Sequence, residues 1–161
     1  MKHLSLADEV GKRNPFEDPK AEAYLNVVRT ASVLAAPLAG LFRRHGLSDA
    51  SHNVLRILRG VAERGDGDGI AGREIADSMV SRVPDISRLV ERLLQAGLVD
   101  RAPHPADRRK TLVTITQKGL ACLAELDGPV SELHAAQFSA LSGSELAELS
   151  RLLTLARRTA E

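Results

Sequence analysis

Apolar side chains recur at Tyr24, Val27, Val28, Ala31, Leu34, Leu38, Leu41 and Phe42, which is the stepping of a helix with one buried stripe. Pro37 is expected to kink it. Gly46 ends this helix, and Ser48 or Ser51 caps a second one that turns Val54, Leu55, Leu58, Val61 and Ala62 inward. The run Gly65 to Gly69 is a turn. A short third helix follows through Glu74, Ile75, Ala76 and Met79, with Ile70 ahead of it as one residue of a minimal strand and a tight break at Val80 to Val83 behind it. Pro84 suits the first position of a fourth helix, where a missing N–H costs nothing, and Asp85 beside it favours the helix dipole. That helix buries Ile86, Leu89, Val90, Leu93 and Leu94 and stops at Gly97. Its other face carries Asp85, Ser87, Arg88, Glu91, Arg92 and Gln95, polar and partly basic.

Two β-like runs come next, Leu98 to Ala102 and Lys110 to Ile115. The connection between them is a hairpin tip rich in proline and arginine. A fifth helix starts after Thr116 as N-cap, with a possible kink at Gly128-Pro129. The last begins at Ser142 with Glu145 three residues on, a capping box, and continues through Leu146, Leu149, Leu152, Leu153 and Ala156. The pattern is mainly α: about six helices plus a β-hairpin. Helix, tight turn, helix and basic hairpin in this order describe a winged helix-turn-helix, in which the second helix of the pair enters the major groove. The lobe spans residues 47–116. Residues 1–46 and 117–161 form leucine-striped helices for which a lobe of this size offers too little surface, so they need each other and a second copy of the chain.

Composition narrows the chemistry. The 161 residues are 43% apolar, enough for one core, and 22 basic against 21 acidic side chains leave no global field. DNA affinity must therefore come from local patches. Phe16, Tyr24, Phe42 and Phe138 are all the aromatic residues of the Phe, Tyr and Trp types, which removes base-stacking platforms of the single-strand or RNA-binding kind. The single Cys122 excludes an internal disulfide and a multi-cysteine zinc site. The first twenty residues lack the apolar core of a signal peptide, and no unbroken apolar run approaches the roughly 20 residues that span a bilayer. A cytoplasmic protein without a membrane partner is expected.

The stretch PDISRLVERLLQAGLVDR at 84–101, followed by Asp107-Arg108-Arg109 and by VTITQKG at 113–119, resembles the MarR (multiple-antibiotic-resistance regulator) family. The resemblance extends residue by residue from about Leu41 to Gly119. It implies a homodimer held by the terminal helices, whose two winged lobes read a pseudo-palindromic operator in double-stranded DNA as a transcriptional regulator, a repressor above all. It also implies DNA contacts at Ser87, Arg88 and Arg92 of the recognition helix. Arginine bonds bidentately to guanine O6 and N7, which makes Arg88 and Arg92 the expected base readers. At the wing tip the resemblance matches Asp107, as a brace, and Arg109, as a minor-groove probe, while Arg108 and Lys110 suit phosphates. Relatives often start the recognition helix with serine or threonine. Here Val83-Pro84-Asp85 stands in that place, so phosphate contacts from the helix start are left to Arg82 or Arg73, unless these are plain surface arginines. Many relatives also bind small anionic aromatics between lobe and dimer layer; His52, Arg56 and Arg59 would be the cationic lining of such a crevice, or else a salt-bridged helix face.

Other classes fit less well. Five histidines, His3, His45, His52, His104 and His134, show no ligand spacing, with His45 and His52 the nearest to a metal-sensing pair. Cys122 as a redox sensor has only Lys118 as a cationic neighbour, and a buried structural cysteine explains it better. No nucleophile elbow, phosphate loop or dinucleotide turn supports an enzyme, and no cofactor is called for. A winged helix used only for protein contacts would lack salt-dependent affinity for duplex DNA.

Overall fold

The computed structural model describes residues 5–65, 69–105, 107 and 111–158. By internal contacts it divides into two units, Met1–Leu38 and Ala39–Glu161. In the first, a four-residue helix α1 (Leu6–Glu9) is closed by a capping box between Ser5 and Asp8. The sequence pattern did not predict it. It brings the helices among the described residues to seven rather than about six. Glu9, at its end, pairs with Arg29 of the long helix α2 (Pro19–Arg44).

Helix α2 runs through Pro37 and carries its apolar stripe, but Tyr24, Leu25, Val27, Val28 and Val33 are 40–67% exposed. By length and composition it is apolar enough to cross a membrane, with mean hydropathy 1.5 over its best window, of which 11% is buried. Asn26, Arg29, Thr30 and Ser32 interrupt the apolar run in sequence, yet the average over the helix remains high.

The second unit begins with the end of α2, where Leu41 and Phe42 are buried, and Gly46 turns the chain at φ +70°. Ser48 caps α3 (Asp49–Glu63) by accepting the Ser51 N–H, so the first of the two candidate caps is the one used. Then follow β1 (Ile70–Ala71), α4 (Gly72–Ser78), α5 (Ile86–Gln95), β2 (Val99–Pro103), β3 (Thr111–Ile115), α6 (Gln117–Gln137) and α7 (Gly143–Arg158). The turn expected at Gly65 to Gly69 has its middle, residues 66–68, outside the described residues. The three strands form one antiparallel sheet in the order β1-β3-β2, with Ile70 opposite Val113 and Arg101 opposite Val113 on its other side. Val54, Leu55, Ile75, Leu89 and Val99 are each 0–1% exposed and form an aliphatic core between α3, α4, α5 and the sheet.

Thr116 joins lobe to α6. Its hydroxyl caps the helix by accepting the Gly119 N–H and donates to the Gly97 carbonyl, while the Lys118 ammonium reaches the Ala96 carbonyl at 2.7 Å. Gly119 has to be glycine, because a Cβ there would overlap the Leu98 carbonyl. Helix α6 continues past Gly128-Pro129 as one element, and the Ser142–Glu145 box starts α7 as expected.

Candidate nucleic-acid interface

Helix α5 starts two residues later than proline chemistry suggests. The Asp85 carboxylate accepts the Arg88 N–H at 2.9 Å and so becomes the N-cap, leaving Pro84 just outside the helix and Ile86 as its first residue. A side-chain acceptor for an otherwise orphan N–H outweighs the proline preference. The break before it is also longer than expected, since the chain runs without helix or strand from Met79 to Asp85. That connection is tied down from α3, where Asn53 Oδ1 accepts the Val80 N–H at 2.9 Å.

Leu89, Val90 and Leu93 anchor α5 in the core, and Ser87, Arg88 and Arg92 stand exposed on the opposite side. Arg88 and Arg92 are four apart and share a face. Glu91 lies between them in sequence, and an isolated helix would let it neutralise one of them. Instead it is taken by Arg101 of β2 at 2.7 Å. Among the described residues neither the Arg88 nor the Arg92 guanidinium makes an ion pair or a hydrogen bond, so two unpaired cations point outward from a rigid helix. The wing strand thus removes the acid from the basic face, a cross-chain effect that helical spacing alone does not reveal.

The hairpin pairs Val99 with Ile115 through to Pro103 with Thr111. Of the four wing residues expected to meet DNA, Arg108, Arg109 and Lys110 lie outside the described residues. Asp107 is half-buried, and its N–H bonds to His104 Nδ1 at 3.2 Å and to the His104 carbonyl, which closes a turn at the tip. Arg82 and Arg73 are exposed; Arg73 has Asp77 at 4.0 Å.

His52, Arg56 and Arg59 line one side of α3, facing the α6 helix. Arg59 forks onto Asp127 of α6 at 2.6 and 3.0 Å, and Arg56 reaches the same carboxylate at 3.4 Å. The Arg59 hydrogen bonds hold the Asp127 carboxyl below its ordinary range and raise the Arg59 guanidinium. His52 stacks on Phe42 with ring centroids 4.2 Å apart. Burial first, then the nearby Arg56 charge, pushes its imidazole towards the neutral form. The arrangement is a cationic pair already holding one carboxylate, beside a neutral stacked ring. Sequence reasoning placed the two arginines but missed Asp127, which is distant in the chain and carries no local signal.

His45 Nδ1 sits 3.5 Å from Glu125, and no group of three metal-ligating side chains occurs among the described residues. His3 lies outside them. Cys122 is half-buried rather than buried, and burial together with the Glu125 charge raises its thiol pKa, the reverse of a reactive thiolate.

Comparison with known proteins follows the same lines. The sequence model of the MarR family matches residues 45–110. The chain is 32% identical over 159 residues to the HTH-type transcriptional repressor IacR of Pseudomonas putida, covering 94% of this chain and 92% of that protein. Among solved structures, the MarR transcription factor from Planctomyces limnophilus is 38% identical with a TM-score of 0.65, over 88% of this chain and 99% of that one. BpsR of Bordetella bronchiseptica, described for the regulation of its DNA binding by 6-hydroxynicotinic acid, shares the fold with a TM-score of 0.70 at 23% identity, over 87% and 99% of the two chains. The mostly helical lobe with its three-stranded wing sheet, the free arginine face of α5 and these matches agree: the chain belongs to the MarR family of winged-helix, DNA-binding transcriptional regulators.

Proposed function

We propose that the protein is a homodimeric repressor that binds a pseudo-palindromic operator through α5 and the wing of each lobe. The observation that carries this reading is the Arg88 and Arg92 pair, exposed on one face and left unpaired because Arg101 holds Glu91. Two guanidinium forks one helical turn apart suit two neighbouring guanines in the major groove. Ser87 supplies a short hydroxyl next to them. At the wing Arg109 probes the flanking minor groove and Arg108 and Lys110 take phosphates, with Asp107 as the brace of the loop. Repression is supported by the printed role of the Pseudomonas putida relative.

Release by a small anionic ligand is supported by the Arg56 and Arg59 pair and by the carboxylic acid named for BpsR. A ligand carboxylate would take the place of Asp127 on the two arginines and so change how α3 meets α6. The protein works in the cytoplasm and without catalysis, as expected of a family of transcriptional regulators.

The deciding experiment measures affinity of Arg88→Ala and Arg92→Ala for the selected operator and for operators changed at single base pairs. Each substitution should cost about 1–3 kcal/mol and erase preference at one defined position. A uniform loss across all sequences would make these arginines phosphate contacts and remove the base-reading role.

A further inference from the structure

Among the described residues, the exposed large apolar side chains fall on α2 and α7, on Val10 after α1 and on Leu141 ahead of α7, with one exception inside the winged lobe. That exception is Val80, which at 89% exposure is the most exposed of them all. It stands in the connection between α4 and α5, the segment that delivers the chain to the recognition helix.

Val80 is not on a loose excursion. Its N–H is held by Asn53 Oδ1 at 2.9 Å, so the backbone is fixed from α3 while the isopropyl group projects into solvent. The neighbouring Ser81 and Arg82 are exposed, and the nearest acids in sequence are both engaged, Asp77 with Arg73 at 4.0 Å and Asp85 as the N-cap of α5. Arg82 leaves this turn a local cation to meet a polyanion. In the major groove, duplex DNA offers an isolated apolar side chain one partner of its own kind, the C5 methyl of thymine. The N-terminal residues of a recognition helix approach base edges, and Val80 lies in the turn that leads to that end of α5, six residues ahead of Ile86.

We propose that Val80 is a specificity residue, packing on the C5 methyl of one thymine in each half-site, with Asn53 as the positioning residue that fixes the turn. The inference rests on the reading of α5 as the major-groove helix and adds an apolar contact to its arginines. Val80 would select a thymine without any hydrogen bond, next to the positions chosen by Arg88 and Arg92.

The test uses the full-length protein and the operator recovered from a random duplex pool, with each thymine replaced singly by deoxyuracil, which differs only in lacking the methyl group. At one thymine per half-site the wild type should bind the uracil version roughly three- to tenfold more weakly, the scale expected for one or two buried methyl groups. Val80→Ala should weaken binding to the thymine operator by a similar factor and bind both versions nearly equally, while Val80→Thr, which keeps one γ-methyl, should fall between it and the wild type. Asn53→Ala, with an unchanged unfolding curve, should lose the same discrimination. Val80→Ala binding like wild type, or losing equally on thymine and uracil, overturns the proposal. So does a weakened dimer in Val80→Ala with thymine discrimination intact, which would assign the residue to a protein contact. Arg88→Ala and Arg92→Ala on the same probes separate the two readings: base preference lost there but not with Val80→Ala refutes only the thymine contact, while no preference lost in any variant refutes the role of α5 as well.

Discussion

The winged lobe and the terminal helices both carry apolar side chains at helical spacing and differ in how far they bury them. In the lobe, α3 buries Val54, Leu55, Leu58 and Val61 and α5 buries Leu89, Val90 and Leu93, so each stripe is spent within the chain. Helix α7 buries none of its residues, and α2 buries only Leu41 and Phe42 at its end. The same helical spacing therefore means two things. In the lobe it marks a core, and at the termini it marks an open apolar surface, the one that the proposed second copy would cover. Helix α6 divides between these roles, since Leu123 and Leu126 are buried in its first half and the second half is largely open.

Charging the exposed stripe of α7 should have the most severe consequence. Leu152 and Leu155 are 47% and 51% exposed, so replacing both by glutamate should leave the lobe folded while placing charges on the stripe that the proposed dimer would bury. Sedimentation should show monomers at micromolar concentration, and operator affinity should fall by a factor on the order of 10²–10⁴ as two linked half-sites become independent. In the lobe, Leu55→Ala should act differently, costing about 2–5 kcal/mol of folding stability. A glutamate variant that stays dimeric with full affinity would show that these stripes serve another partner.

A smaller effect sharpens the boundary between the regions, where Asp127 of α6 meets Arg59 and Arg56 of α3. The folded Asp127 carboxyl is held below its ordinary value near 3.8, so its contribution is complete above that pH and is lost as the pH falls through the folded value. Because Asp127 is 42% exposed, solvent screening limits the pair to about 0.5–1 kcal/mol. His52 is depressed from its ordinary value near 6.5, so the stability tied to its neutral form is present above that pH and is lost on acidification. Urea titrations from pH 8 to 3 should show His52→Gln flattening the first decline, below about 6.5, and Asp127→Asn removing a later one, below about 4. An unchanged first decline in His52→Gln would place the titrating group elsewhere.

What could be read from the chain beforehand follows from how far each signal travels. Stripes, glycine stops and caps are local, so α3, the body and end of α5, the hairpin and the Thr116 and Ser142 starts stand where the pattern places them. Local competition explains the near misses: Asp85 captures the Arg88 N–H and shifts the start of α5 past Pro84, and the capping box at Ser5 suffices for a four-residue α1 that has no periodicity to detect. The cross-chain features were not legible. Arg101 drawing Glu91 off the basic face depends on strand register against a helix, and Asp127 closing over Arg59 depends on how α6 packs on α3. Both tune electrostatics rather than hydrophobic pattern, which is where sequence periodicity carries no information.

In the proposed complex two copies of this chain present two arginine-bearing α5 helices to one DNA duplex. Selection of bound sequences from a random duplex pool by the full-length protein tests that arrangement. It should yield a pseudo-palindrome whose half-site centres are about one helical turn, roughly 10 bp, apart, with guanines at fixed positions in each half. Enrichment of a single unrepeated site, or of no sequence at all above random, would contradict it.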